Sequence, residues 1–124
     1  MAFSELQTAA NTLVEQGQLV EAIPLLTELI RRLEASDDGD LKTEFPIFLL
    51  GTGYIQKYIA TGDKGLLQET LRYYDELERD YPESTKLKDA LFKKVDVLRV
   101  MGRFDESIQL MKDLISGASG QRLG

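Results

Sequence analysis

The sequence predicts an all-α fold of about six helices arranged as three antiparallel hairpins. Apolar residues recur at three- and four-residue steps along almost the whole chain, the spacing of one face of an α-helix. Only three prolines, at 24, 46 and 82, interrupt 124 residues, so long helices can run unbroken. Three times a glycine stops one helix and lets the next begin at once, in Glu15-Gln16-Gly17-Gln18-Leu19, Ala60-Thr61-Gly62-Asp63-Lys64 and Val100-Met101-Gly102-Arg103-Phe104. These glycines stand 45 and then 40 residues apart, and a fixed motif at such intervals marks a helical repeat.

The first helix is expected over 4–16, with Ser4 as N-cap, Gln7 completing a capping box, and Leu6, Ala9, Ala10, Leu13 and Val14 on one face. The second is expected over 19–35, with Ala22, Ile23, Leu25, Leu26, Leu29, Ile30 and Leu33 as a broad apolar stripe and Pro24 in its opening turns. Ser36-Asp37-Asp38-Gly39-Asp40 is the clearest break. The third runs over 41–60, with its start at 41 or at Pro46, because the residue before a proline resists the helical region. Gly51 and Gly53 within it predict close approach of neighbouring helices. The fourth is expected over 64–80. The fifth covers 84–101, with Leu87, Ala90, Leu91, Val95 and Leu98 facing the core. The sixth covers 104–115, with Ile108, Met111, Leu114 and Ile115 facing inward. Residues 118–124, rich in glycine, read as a loose tail.

Composition narrows function. Cysteine and histidine are both absent, which removes thiol chemistry, the usual zinc, iron and copper ligands, and the commonest general base. No cofactor, no metal and no enzymatic activity are expected. The net charge is −6, and it is uneven: residues 1–40 hold eight acids and two bases, 41–80 seven and five, and 81–124 six and eight. An acidic chain repels phosphate backbones, so nucleic acid is not an expected partner. The opening Met-Ala-Phe-Ser-Glu-Leu lacks a basic segment followed by an apolar run, and the apolar stretch from 45 to 60 is broken by Gln56 and Lys57. No membrane association is expected, and a cytoplasmic location is.

The hairpin turns resemble those of tetratricopeptide repeats, which place a small residue and a large one on helix A, a glycine in the turn, and a small residue early in helix B. Ala10, Leu13, Gly17 and Ala22, followed by Leu26 and Leu29, meet this in the first repeat. Val95, Leu98, Gly102 and Ser107, followed by Met111 and Leu114, meet it in the third. The second repeat has Tyr58 and Gly62 in place, and fits Thr70, Tyr74, Leu77 and Pro82 only after a three-residue insertion. The period also exceeds the family's usual length of about 34 residues. The resemblance implies one domain over 1–124, with repeats at approximately 4–35, 41–82 and 84–117, coiled into a short right-handed α-solenoid.

In that family the A helices line a concave groove that takes a peptide or a partner helix. The resemblance carries the groove onto Gln7 and Asn11, Thr52 and Gln56, and Phe92, Lys93, Asp96 and Arg99. One subclass clamps a terminal carboxylate with Lys, Asn and Arg side chains. Of that set only Asn11 and Lys93 are present, while Gln7, Gly53 and Asp89 stand at other positions. The expected function is therefore a non-catalytic protein- or peptide-binding module. The alternative is a structural segment of a longer solenoid or homo-oligomer, in which Ile108, Met111 and Ile115 of the last helix are covered by a further hairpin or by a second copy.

Three other patterns suggest chemistry and fail on their context. Gly51-Thr52-Gly53 lies inside a helical pattern and lacks the strand and third glycine of a dinucleotide loop. A calcium loop counted from Asp37 ends on Phe48 in place of a carboxylate. Asp75, Glu76, Glu78 and Asp80 point in different directions around a helix and read as a solvated face. Tyr73, Tyr74 and Tyr81 cluster near the end of the fourth helix, Tyr74 at a core position and the other two either in an exposed aromatic patch or, as the default, in packing between repeats.

Overall fold

A computed structural model of the chain describes residues 1–36 and 42–116. Among them lie six α-helices and no strand: α1 (Phe3–Glu15), α2 (Leu19–Glu34), α3 (Glu44–Thr61), α4 (Leu66–Asp80), α5 (Leu87–Val100) and α6 (Phe104–Ser116). The acidic loop beyond Ser36 and the glycine-rich tail fall at 37–41 and 117–124, outside the described residues.

The three hairpin glycines all take positive φ, at 75° for Gly17, 76° for Gly62 and 81° for Gly102, a region closed to most residues with a Cβ. Gly17 and Gly102 sit in the same hydrogen-bonded turn. Gln18 N–H reaches back to the Leu13 carbonyl at 2.8 Å, and Arg103 N–H to the Leu98 carbonyl at 2.9 Å, the six-residue closure of a Schellman motif. Gly62 closes α3 differently, through a single bond from its N–H to the Tyr58 carbonyl. Asp63 then accepts the Gly65 N–H at 2.9 Å before α4 begins. The second hairpin is thus the irregular one, with residues 63–65 between its glycine and α4.

Helix starts differ from the sequence expectation where a cap was misplaced. Ala2, not Ser4, precedes α1, and the Glu5 carboxylate accepts the Ala2 N–H at 3.3 Å. Pro46 is the third residue of α3, where an N–H has no helical acceptor to lose. Pro24 lies deeper, as the sixth residue of α2, so the Val20 carbonyl forgoes its helical partner. Ser84 does not begin α5. Its hydroxyl donates to the Glu44 carboxylate and accepts the Lys86 N–H at 3.0 Å, tying the segment after α4 to the start of α3. In the same region Tyr81 bonds through its hydroxyl to the backbone and side chain of the buried Thr43.

Each helix packs on its neighbours in chain order, most extensively α3 on α4 and on α2. α3 carries apolar residues on several sides, as a helix covered by two neighbours must. Its glycines serve this position. A Cβ on Gly51 would stand 2.6 Å from the Tyr74 ring of α4, and a Cβ on Gly53 would stand 3.2 Å from the Ile23 side chain of α2. Tyr74 is fully buried, stacks on Phe48 with ring centroids 6.0 Å apart, and shares a 2.7 Å hydrogen bond with the Thr52 hydroxyl. Tyr73 is buried as well and stacks on Tyr54. The tyrosines therefore build the interior and form no surface patch.

Two hydroxyls enter the core from the second helix of a hairpin. Thr70 donates to the Gly51 carbonyl at 2.9 Å and Ser107 to the Val95 carbonyl at 2.8 Å, so neither is buried without a partner. Ala10 and Ala22, both fully buried, let α1 and α2 approach closely.

The face of α6 departs from expectation. Ser107, Leu110 and Leu114 turn inward, whereas Ile108 is 53% exposed and Ile115 75% exposed. Met111 lies between the two faces. The periodicity identified the helix correctly, but two apolar faces compete on it, and the one holding Ser107 packs against α5.

Candidate functional site

α3 and α5 both pack against α4 and barely touch each other. The space between them is an open cavity of about 420 Å³. Thr52 and Gln56 reach it from α3, and Lys93, Asp96 and Arg99 from α5. These are five of the eight residues named from the sequence. Gln7 and Asn11 are exposed on α1 and are not among the lining residues. Phe92, 37% exposed on α5, does not line it either. It shares the side of α5 that carries Asp96 and Arg99 but lies one to two turns nearer the start of the helix.

The polar residues form a rim that is largely satisfied from within. Lys93 Nζ lies 3.1 Å from the Asp89 carboxylate and Arg99 lies 3.4 Å from Asp96, each an ion pair along α5. Asp89 thus occupies the cation that an anion clamp would need. Thr52 donates to the Phe48 carbonyl at 3.0 Å and meets Tyr74 through the same oxygen, so its hydroxyl is committed to the fold. Gln56 is exposed, and its amide has no side-chain partner among the described residues.

Beneath this rim lies an apolar floor that the sequence reading missed: Ile55, Tyr58, Ile59, Leu67, Val97 and Val100. Ile59 is 72% exposed and adjoins Ile55, Val97 and Val100, so its exposure belongs to a contiguous apolar surface. One signal was available. α3 carries apolar residues on more faces than a helix with a single packed side needs, and the surplus, Ile55 and Ile59, lines the cavity.

Asp75 pairs with Lys94 at 2.8 Å and Asp80 with Arg79 at 2.9 Å, so two of the four crowded carboxylates of α4 are engaged with cations. Burial, with Glu34 and Asp80 nearby, pushes the Glu76 carboxyl above the ordinary carboxylate range. Arg31 and Arg32 hold the Glu28 carboxyl down to about 2. Among the described residues no group of three acidic side chains is placed to hold a metal ion, and no helix is long and apolar enough to cross a membrane.

The described part of the chain is thus an all-helical protein with an apolar groove open between two helices of different hairpins. Comparison with protein-family models, with curated proteins and with solved structures finds no match for the chain.

Proposed function

We propose that this chain is a non-catalytic interaction module of the tetratricopeptide-like type, a short right-handed solenoid of three hairpins. Its groove between α3 and α5 takes an amphipathic helix or an extended peptide from another protein. The observation that carries this reading is the makeup of the groove: an apolar floor left open to water, edged by side chains whose charges are already paired. Such a surface gains little from a highly charged ligand and much from apolar anchors that cover Ile55 and Ile59. Each anchor of Leu, Ile or Phe size contributes about 1.5–3 kcal/mol on full burial. Two or three anchors supply about 3–9 kcal/mol before the cost of ordering a flexible ligand, so affinities weaker than micromolar are expected. The two matching Schellman turns at Gly17 and Gly102, and the packing of helices in chain order, support the repeat reading.

Peptides selected from a random display library on the immobilised chain test the proposal. The selected peptides are expected to carry apolar residues spaced for one helical face or for alternate strand positions. They are expected to lose at least about tenfold in affinity on Ile59→Lys and to be indifferent to Ile108→Lys on α6. Selection that yields no binder, or binders that hold wild type and Ile59→Lys equally, would overturn it. A second reading, that the chain works by assembly, is favoured by the exposed apolar stripe of α6.

A further inference from the structure

We infer that α6 is a self-recognition element, which pairs antiparallel with α6 of a second copy of this chain across a two-fold axis. Phe104, Ile108, Met111 and Ile115 follow steps of four, three and four, the spacing of alternate d and a positions in a heptad. Phe104 is 58% exposed, Ile108 53% and Ile115 75%, so three of the eight large hydrophobic side chains exposed among the described residues lie on this one stripe.

The charges beside the stripe identify the occupant. Glu106 pairs with Arg103 at 2.6 Å, and Asp113 accepts a hydrogen bond from Gln109 at 3.0 Å. Asp105 and Lys112, both exposed, have no ion-pair partner among the described residues. They flank the stripe on its outer side, seven residues and so about 10 Å apart along the axis, too far to pair with each other. The inner flank is closed, because Ser107 is bonded to Val95 and Leu114 packs on the core.

A second α6 laid antiparallel, with the two-fold axis level with the Gln109–Leu110 bond, sets Phe104 against Ile115 of the second copy and Ile108 against its Met111. In that register Asp105 comes opposite Lys112 of the second copy, and symmetry forms the ion pair twice. A parallel pairing would place Ser107 and Leu114 across the seam from these charges and leave both unmatched. The self-complementarity of one acid and one base across the centre of a 13-residue helix is what specifies a copy of this chain as the partner. The seam is short, under two heptads, so the dimer is weak and forms at tens to hundreds of micromolar, the regime of small interfaces.

Sedimentation equilibrium from about 5 µM to about 500 µM at low salt is the test, since self-association alone makes mass depend on concentration. The wild type is expected to show a reversible monomer–dimer equilibrium, and Ile108→Lys to stay monomeric throughout. Asp105→Lys and Lys112→Asp, each alone, are expected to raise the dissociation constant about three- to tenfold, and the double exchange to restore it to within about twofold. All three positions are exposed, so helical content measured by circular dichroism should not change. A wild type that remains monomeric at the highest concentration would overturn the inference. So would a dimer untouched by Ile108→Lys, or charge reversals whose losses add in the double variant.

Discussion

Position 51 has space for a hydrogen and nothing larger, because an added methyl group would stand 2.6 Å and 2.8 Å from two ring carbons of a fully buried tyrosine. Tyr74 cannot swing aside without giving up its stacking on Phe48 and its hydrogen bond to Thr52. Gly51→Ala is therefore expected to lose about 1–3 kcal/mol by overpacking, offset in part by the roughly 1 kcal/mol that alanine gains in a helix. Gly53→Ala meets Ile23 at 3.2 Å and should lose less. Gly17→Ala and Gly102→Ala meet nothing within 4 Å, so their cost of about 1–2 kcal/mol comes from positive φ alone. Urea denaturation of the four variants separates the two mechanisms, and equal losses at 51 and 53 would contradict the packing described. Glu76 makes a second case. Its folded carboxyl titrates above the ordinary range because burial penalises the charge. A raised carboxyl costs nothing below its unfolded value, and the cost accrues as pH rises from there and is complete above the folded value. Glu76→Gln should then melt higher than wild type at pH 7, with the difference vanishing below the ordinary carboxylate range. A variant that melts lower at pH 7 would mean that Glu76 makes a favourable interaction as an anion. Glu28 runs the other way. Its depressed carboxyl contributes stability that is intact above about pH 4.5 and is lost as pH falls toward about 2.

Helices were legible in the sequence because glycine and proline punctuate them and apolar spacing fills them. All six expected segments overlap the observed helices. Their starts were less legible. Ser4 and Ser84 carry the residue type of a cap, but Ser4 lies inside α1 and Ser84 is spent on Glu44, a residue 40 positions away. A long-range hydrogen bond of that kind leaves no local trace. The groove divided in the same way. Its rim was legible from the repeat pattern at Thr52, Gln56, Lys93, Asp96 and Arg99, while that pattern does not mark Ile55, Ile59 and Val97. Nothing in the chain's periodicity says that α5 stops short of covering α3. The inward face of α6 was misread because Ser107, a polar residue, marks the buried side and isoleucines mark the open one. This makes a prediction for the helix as a unit. At dilute concentration, Leu114→Ala should cost more than about 1 kcal/mol, because its side chain packs on the core, while Ile115→Ala should stay within about 0.5 kcal/mol. Denaturation curves in which Ile115→Ala is the more damaging of the two would reverse the assignment of faces.

Packing in chain order governs how the whole molecule should open. α3 is covered by α2 on one side and α4 on the other, and α4 by α3 and α5, so releasing either breaks two helix interfaces. α1 packs extensively on α2 alone, and α6 on α5 alone. Among the described residues of α6 only Ser107 is fully buried, while α4 buries six side chains. Where each helix packs mainly on its neighbours in chain order, stability is close to a sum of neighbour interfaces, and end elements open at lower free energy than central ones. Amide hydrogen exchange on dilute protein should then show the slowest exchange in α3 and α4 and the fastest helical exchange in α6. Raising the concentration into the range where α6 pairs with a second copy should slow exchange in α6 selectively. A ligand in the groove should instead slow α3 and α5, because those two helices supply most of its walls. The two modes of association are thereby distinguishable in one experiment without knowledge of the ligand. Uniform protection across all six helices would show that the molecule opens as a single cooperative unit, with no gradient set by the order of its helices.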